Sequence, residues 1–375
     1  MIVSLLLRNS AVAIGVKSLG LAFVFYLAHA FQDEQRLGSM LLVWGYVVFF
    51  QGAVFTPLAH YCVTTSSQMP VKSVTSLALV CLLLSVFFLD GRPFYLLGAF
   101  MLLNLVSDYG MIVDRKYIQL SYLTGLKNLF GLMAIYLGLG IELVFLSFAL
   151  GEATKTLFSL PYFFRPAVGV KLKLSGFVRY SAFLFCVGSY YVVIRTMLAC
   201  IDVGYVVQFE LFLRLAEVVL VGVTSGVMPI FLTAIREGGK SKNVVVFFSL
   251  GGATLLSLVV LLSSLIFGGE SFAQEFYNLN LNGHFNLVLA IVLILSVFMV
   301  FASYIRKEVA ASAQIGWQYL IPPSLVFTFF YVLVSYWHTP PLISAFLALL
   351  IVISCECALS LRALYAVRSK CQRVE

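Results

Sequence analysis

Charge is what this sequence has least of. Only 11% of its 375 residues are Asp, Glu, Lys or Arg, against 62% hydrophobic, where water-soluble domains carry about a quarter charged residues. So little charge excludes a soluble globular protein, and a mean hydropathy of +1.03 makes lipid the solvent for most of the chain. Long polar loops are missing too. The longest segments between apolar runs, about 161–177 and 269–284, are too short to fold as domains, which leaves no place for soluble catalytic chemistry. There is no GxxxxGK(S/T) phosphate loop, no HExxH helix and no GxSxG elbow. ATP hydrolysis is therefore not expected, and energy falls to an ion gradient, the membrane potential or consumption of product. His29, His60, His284 and His338 are scattered, so no metal site is read from them, and no cofactor is expected. The seven cysteines are odd in number and lie mostly within or beside apolar runs, as small buried residues rather than a disulfide framework. Cys355 and Cys357 have no second pair to complete a metal site.

What the chain does have is a succession of twelve apolar runs, at about 11–31, 39–60, 73–90, 94–113, 122–140, 143–160, 178–199, 209–235, 245–268, 285–304, 318–337 and 340–365. Most have the length a membrane-spanning helix needs, roughly 17–25 residues. The expectation is an all-α polytopic membrane protein of about twelve transmembrane helices. The net charge of +8 reports topology rather than nucleic-acid binding, because the basic residues sit in short turns and form no stripe with interleaved aromatics. With the N-terminus placed in the cytoplasm, only Arg36 and Arg92 fall in outer turns. Lys17, Lys127, Lys155, Arg195 and Arg214 fall within helices, and the rest of the 24 basic residues lie on cytoplasmic segments or helix ends. That bias predicts both termini in the cytoplasm of a bacterial inner membrane. The first run has the Arg8 start and Ala28-His29-Ala30 end of a signal peptide, but Lys17 interrupts it, and a retained helix keeps the count even.

The 161–177 segment divides the runs six and six. Both halves then enter from the same side, so any repeat is parallel, about an axis along the membrane normal. The predicted organisation is an N-terminal six-helix lobe over 1–165, a cytoplasmic linker over 166–177 and a C-terminal six-helix lobe over 178–375. The second run ends QGAVFTPLAHYC and the eighth TSGVMPIFLTAI, each with a Gly, a short apolar step and a proline. Pro57 and Pro229 are either kinks or ordinary helix-end prolines.

Ionisable groups inside a bilayer are costly and face a partner or a cavity. Glu210, Arg214 and Glu217 share one helix face and can neutralise one another, and Glu152 with Lys155 makes a similar local pair. Lys17, Lys127 and Arg195 lie near enough to helix ends to snorkel. Lys17 and Arg195, on corresponding helices and without an acid within four residues, also suit a cavity that accepts an anionic group such as a phosphate diester. Lys127, Lys155 and Arg214 could add to that field, and these five cations are the candidate substrate-binding residues. Glu356, whose nearest cation in sequence is Arg362, and Asp108, with Arg115 at i+7, are candidate proton sites. With Glu152 and Glu217 they form the candidate ion-coupling set.

The stretch 189–243, SYYVVIRTMLACIDVGYVVQFELFLRLAEVVLVGVTSGVMPIFLTAIREGGKSKN, resembles the corresponding region of the polysaccharide-biosynthesis flippases of the MOP (MATE-like) superfamily. The matching residues are Asp202, Gly204, Tyr205, Arg214, Leu215, Pro229 and the turn Arg236-Glu237-Gly238-Gly239-Lys240. The segment NSAVAIGVKSLGLAFVFYLA (9–28) is similar to the family's first helix. The resemblance implies two parallel six-helix lobes around a cavity that opens alternately inward and outward. It also implies undecaprenyl-diphosphate-linked oligosaccharide as cargo, turned from the cytoplasmic to the periplasmic leaflet, with membrane lipids and other polysaccharide-assembly proteins as partners. Drug and cation antiporters share the fold, but they call for acids as the dominant cavity charge. A glycosyltransferase or polysaccharide polymerase calls for a larger outer loop than 269–284, which has no Lys or Arg. A purely structural assembly subunit remains a fourth reading.

Overall fold

In hydrocarbon no water is available to the backbone, so a chain this apolar must satisfy its N–H and C=O groups within helices. The computed structural model describes residues 2–30, 34–50, 56–88, 92–165, 169–225, 227–236, 241–271, 284–311 and 321–371. Among them every regular element is helical. The N-terminal half contains α1 (Ile2–Ala30), α2 (Glu34–Phe50), α3 (Thr56–Thr64), α4 (Val71–Phe87), α5 (Arg92–Val113), α6 (Tyr117–Tyr136) and α7 (Ile141–Phe158), followed by a 3-10 turn at Leu160–Tyr162. The C-terminal half contains α8 (Leu174–Ile201), α9 (Val203–Ser225), α10 (Met228–Arg236), α11 (Ser241–Ile266), α12 (Phe285–Ala311), α13 (Ile321–Ser335) and α14 (Pro341–Cys371). Among the described residues, five segments are long and apolar enough to cross a membrane: Arg92–Val113, Leu174–Ile201, Asn243–Ile266, Phe285–Val309 and Pro341–Arg362. The chain is a multi-pass helical membrane protein.

The helices follow the apolar runs, with two informative departures. The run 209–235 is shared by two helices, α9 and α10, and the described parts of the run 39–60 are helical on either side of 51–55, as α2 and α3. Pro229 is the second residue of α10, where a missing N–H costs nothing because the first turn has no intrahelical acceptor, and Pro57 lies in the described part of α3 that begins at Thr56. Pro229 therefore opens a short new helix after the turn at Val227 instead of kinking a continuous one, whereas residues 51–55, before Pro57, lie outside the described residues. The second departure is length. α12 continues past the apolar run to Ala311, which carries Arg306 and Lys307 into the helix. α6 stops at a left-handed glycine: Gly138 has φ +68°, and the Gly138 and Leu139 amides return to the Ile135 and Ala134 carbonyls at 2.9 and 3.1 Å.

Large apolar side chains left exposed on α4 (Leu79, Leu83, Phe87) and α11 (Phe247, Leu255, Leu262) are suited to lipid. Small residues bring helices close inside the bundle. A Cβ at Gly151 would run into the Lys127 backbone of α6, and one at Gly125 would press on Val16 of α1 at 2.8 Å. The C-terminal half holds the largest core, with Tyr190, Phe209, Tyr304 and Phe346 among its buried residues.

The two halves meet at both ends of the bundle. At one end Leu37 and Leu41 of α2 pack in one cluster with Val207 and Leu211 of α9, and Tyr46 shares a 3.0 Å hydrogen bond with Thr196 of α8. At the other, Val63, Ile112 and Tyr117 cluster with Leu232 of α10, and the Tyr117 and Thr233 hydroxyls lie 3.0 Å apart. This second end collects the starts of α4, α6, α8 and α11 and the ends of α3, α5, α7, α10 and α12, the termini richest in Lys and Arg. It is called the basic end below.

Candidate functional site

The charges read from the sequence as candidate site residues are gathered by helix packing into three groups. The first lies among α5, α6 and α7. Asn104 and Asp108 share a face of α5 at i and i+4, and Glu152, Lys155 and Thr156 share a face of α7. Lys155 Nζ lies 2.7 Å from Asp108 Oδ1 and 3.4 Å from Thr124 Oγ1. Lys127 Nζ lies 3.1 Å from Glu152 Oε1. Asn104 Nδ2 donates to Glu152 Oε2 at 2.6 Å and to the Glu152 carbonyl at 3.0 Å, and Thr156 donates to Asn104 Oδ1 at 3.0 Å. Two acids and two bases cancel within three helices.

This arrangement corrects three expectations. Glu152 and Lys155 do not pair with each other. Asp108 takes Lys155 rather than Arg115. Lys127 is turned inward to a carboxylate and does not snorkel. In each case the partner lies on a neighbouring helix, and a buried charge takes the partner that packing presents.

The second group joins α8 and α9. Arg195, 4% exposed, is hydrogen-bonded through Nε to the fully buried Glu210. Arg214 reaches Glu210 at 3.5 Å and Glu217 at 2.5 Å. The shared face of Glu210, Arg214 and Glu217 is as the i, i+4, i+7 spacing predicts. Arg195, expected to be unpaired, completes the set to two cations and two anions. Gly45 of α2 makes room for it, since a Cβ there would stand 2.8 Å from Arg195 Cδ and Nε. Lys17 lies on α1, and its side chain is outside the described residues.

The third group sits on α8, α12 and α14. Glu356, 1% exposed, accepts two hydrogen bonds from Arg306, Nε to Oε1 at 2.7 Å and Nη2 to Oε2 at 2.6 Å, and a third from the Tyr190 hydroxyl at 3.2 Å. Glu356 is thus a bidentately held carboxylate whose partner is Arg306, not Arg362. Beside this pair, Lys307 Nζ lies 2.8 Å from His60 Nδ1 of α3 and donates to the Tyr180 hydroxyl of α8 at 3.2 Å. The ammonium stands 5.5 Å from the centroid of the Tyr180 ring. Tyr61 packs edge-on against Tyr180, with centroids 5.6 Å apart.

Sequence reasoning missed Arg306, Lys307, His60, Tyr180 and Asn104 as members of these groups. The basic pair read as a cytoplasmic turn because the apolar run stops before it, and His60 read as one of four scattered histidines. The signal available was the spacing of Arg306 and Lys307 from the run's end, short enough for one more helical turn or two.

No family model and no curated protein matches the chain. Solved structures do, over almost its whole length. They include an outward-facing multidrug resistance MATE transporter of the MOP superfamily (12% identity, 97% of this chain and 96% of that one, TM-score 0.60). A MATE crystal structure aligns with TM-score 0.69 at 11% identity over 97% and 96% of the two chains. A MOP-superfamily transporter from Pyrococcus furiosus, described as having a binding pocket of reversed polarity that suggests a different function, aligns at 12% identity with TM-score 0.64 over 97% and 96%. The chain has the fold of the MATE transporters of the MOP superfamily.

Proposed function

We propose that the chain is a flippase that carries a lipid-diphosphate-linked oligosaccharide from the cytoplasmic to the periplasmic leaflet by alternating access, in assembly of a surface polysaccharide. The observation that carries this reading is the charge balance of the interior. The acids Asp108, Glu152, Glu210, Glu217 and Glu356 each stand in an ion pair, so none is left to attract a cationic drug or a coupling ion. Lys307, by contrast, has neutral partners. An amine whose hydrogen-bond partners include no acid suits a diphosphate. The contacts between α1–α3 and α8–α10 at both ends fit a carrier in which either end can part. The two six-helix lobes, the basic end in the cytoplasm and undecaprenyl diphosphate as the carrier lipid belong to the same proposal, as does working alongside other polysaccharide-assembly proteins in a bacterial inner membrane.

Deletion of the gene in its own host tests the reading. The expected result is loss of the surface polysaccharide with build-up of its lipid-linked precursor, both restored by the wild-type chain. Unchanged polysaccharide would overturn it. The structural likeness to a multidrug transporter favours a second reading, an antiporter for cationic drugs. That reading instead expects the deletion to lower resistance to cationic dyes and the purified chain to exchange them for Na⁺ or H⁺ in proteoliposomes.

A further inference from the structure

We propose that Lys307, His60 and Tyr180 form a phosphate-binding site at the basic end of the junction between the two halves. In naming the diphosphate headgroup of a lipid carrier as its ligand, this rests on the flippase reading. Free diphosphate shares the chemistry.

Three observations carry it. The first is charge. Lys127, Lys155, Arg195, Arg214 and Arg306 each lie within ion-pair distance of a carboxylate. The part-buried Lys307 has an imidazole nitrogen, a phenol oxygen and the face of the phenol ring. Neither partner is an acid, so no carboxylate is paired with this amine, and when protonated it has one N–H donor beyond the two that His60 and Tyr180 take. The second is position. His60 comes from α3, Tyr180 from α8 and Lys307 from α12, so the cluster spans the two halves and is made or broken by their relative movement. When α3 parts from α8 and α12, the ammonium loses the imidazole and gains access to whatever enters from that end. An anion bearing several oxygens replaces the lost acceptor and supplies the missing counter-charge. The third is surroundings. Arg306, the next residue, is fixed on Glu356 through two hydrogen bonds and keeps the carboxylate away from Lys307. Lys171, Lys173 and Arg179, all exposed at the start of α8, form a basic approach to the Tyr180 side of the cluster.

The paired groups cannot serve in this way. Drawing Lys127 or Arg195 onto a ligand would strand Glu152 or Glu210 in the interior, a cost that Lys307 does not incur.

The test uses the purified full chain in detergent, titrated with inorganic diphosphate, a polyprenyl diphosphate and the unphosphorylated polyprenol, for wild type, Lys307→Gln, Lys307→Arg and Tyr180→Phe. The expected result is that the wild type binds both diphosphates and that Lys307→Gln weakens both by about tenfold or more, the scale of a lost charge-assisted hydrogen bond. Lys307→Arg should stay near wild type, Tyr180→Phe should fall between, and polyprenol binding should not change. Lys307→Gln binding both diphosphates like the wild type would overturn the site while leaving the flippase reading intact. Binding of inorganic diphosphate through Lys307 without binding of the polyprenyl form would keep the anion site and sink the lipid ligand. Failure of both diphosphates to bind the wild type, or equal losses in Lys307→Arg and Lys307→Gln, would overturn the site.

Discussion

Inside α5, α6 and α7 four charges are matched one to one, Asp108 with Lys155 and Glu152 with Lys127. At the junction of α3, α8 and α12 a single ammonium rests on neutral groups. Both arrangements keep charge away from water, but they constrain the protein differently. A matched pair is closed: neither member can leave without exposing the other to a low-dielectric interior, so it holds helices in register. An ammonium on neutral acceptors is open: its partners can be exchanged for an anion at little cost to the fold. The matched groups lie within one half of the chain, and the unmatched one lies between halves. Charge that fixes structure is thus separated from charge available to a ligand.

Four single substitutions and one double variant sharpen or break this contrast, and reversible unfolding in micelles reads all of them. Glu210→Ala should have the largest effect, because it strands the buried Arg195 and leaves Arg214 with Glu217 alone, with an expected loss of about 3–5 kcal/mol. Lys155→Met should cost about 2 kcal/mol by leaving the part-buried Asp108 without its ion pair, and Asp108→Leu combined with it should recover much of that loss. If the double variant is instead as unstable as the sum of the singles, the pair is not coupled and the matched-pair account fails. Gly151→Ala should cost about 1–3 kcal/mol by pushing α7 off the Lys127 backbone, a steric effect that salt leaves unchanged. Lys307→Gln should have the smallest effect on stability, about 1 kcal/mol for its hydrogen bonds to neutral partners. Precursor flipping in proteoliposomes should nevertheless fall about tenfold or more in this variant. A stability loss as large as that of Glu210→Ala would place Lys307 among the structural charges and erase the distinction.

Much of this was legible in the linear chain. The apolar runs located the helices, because only a helix satisfies an apolar segment's backbone without water. Pro229, preceded by a glycine and a short apolar step, lies where the eighth run changes helix, the helix-end reading of the two that its spacing left open. The spacing of Glu210, Arg214 and Glu217 placed them on one face, since i, i+4 and i+7 are neighbours within a single helix.

Apart from Arg214 with Glu210 and Glu217, the charge pairing was not legible. It was decided by which helices lie side by side. Glu356 takes Arg306, 50 residues away, over Arg362. Glu152 takes Lys127 from α6 over Lys155 one turn further along its own helix. His60 meets Lys307 across 247 residues. Sequence spacing reports neighbours along one helix, whereas a buried charge is satisfied by whatever the adjacent helix brings within about 3 Å. The sequence therefore determined that this protein is a bundle of lipid-embedded helices carrying a surplus of positive charge. Only the packing of those helices decided which charges cancel and that Lys307, among the described residues, meets neutral partners where the halves join.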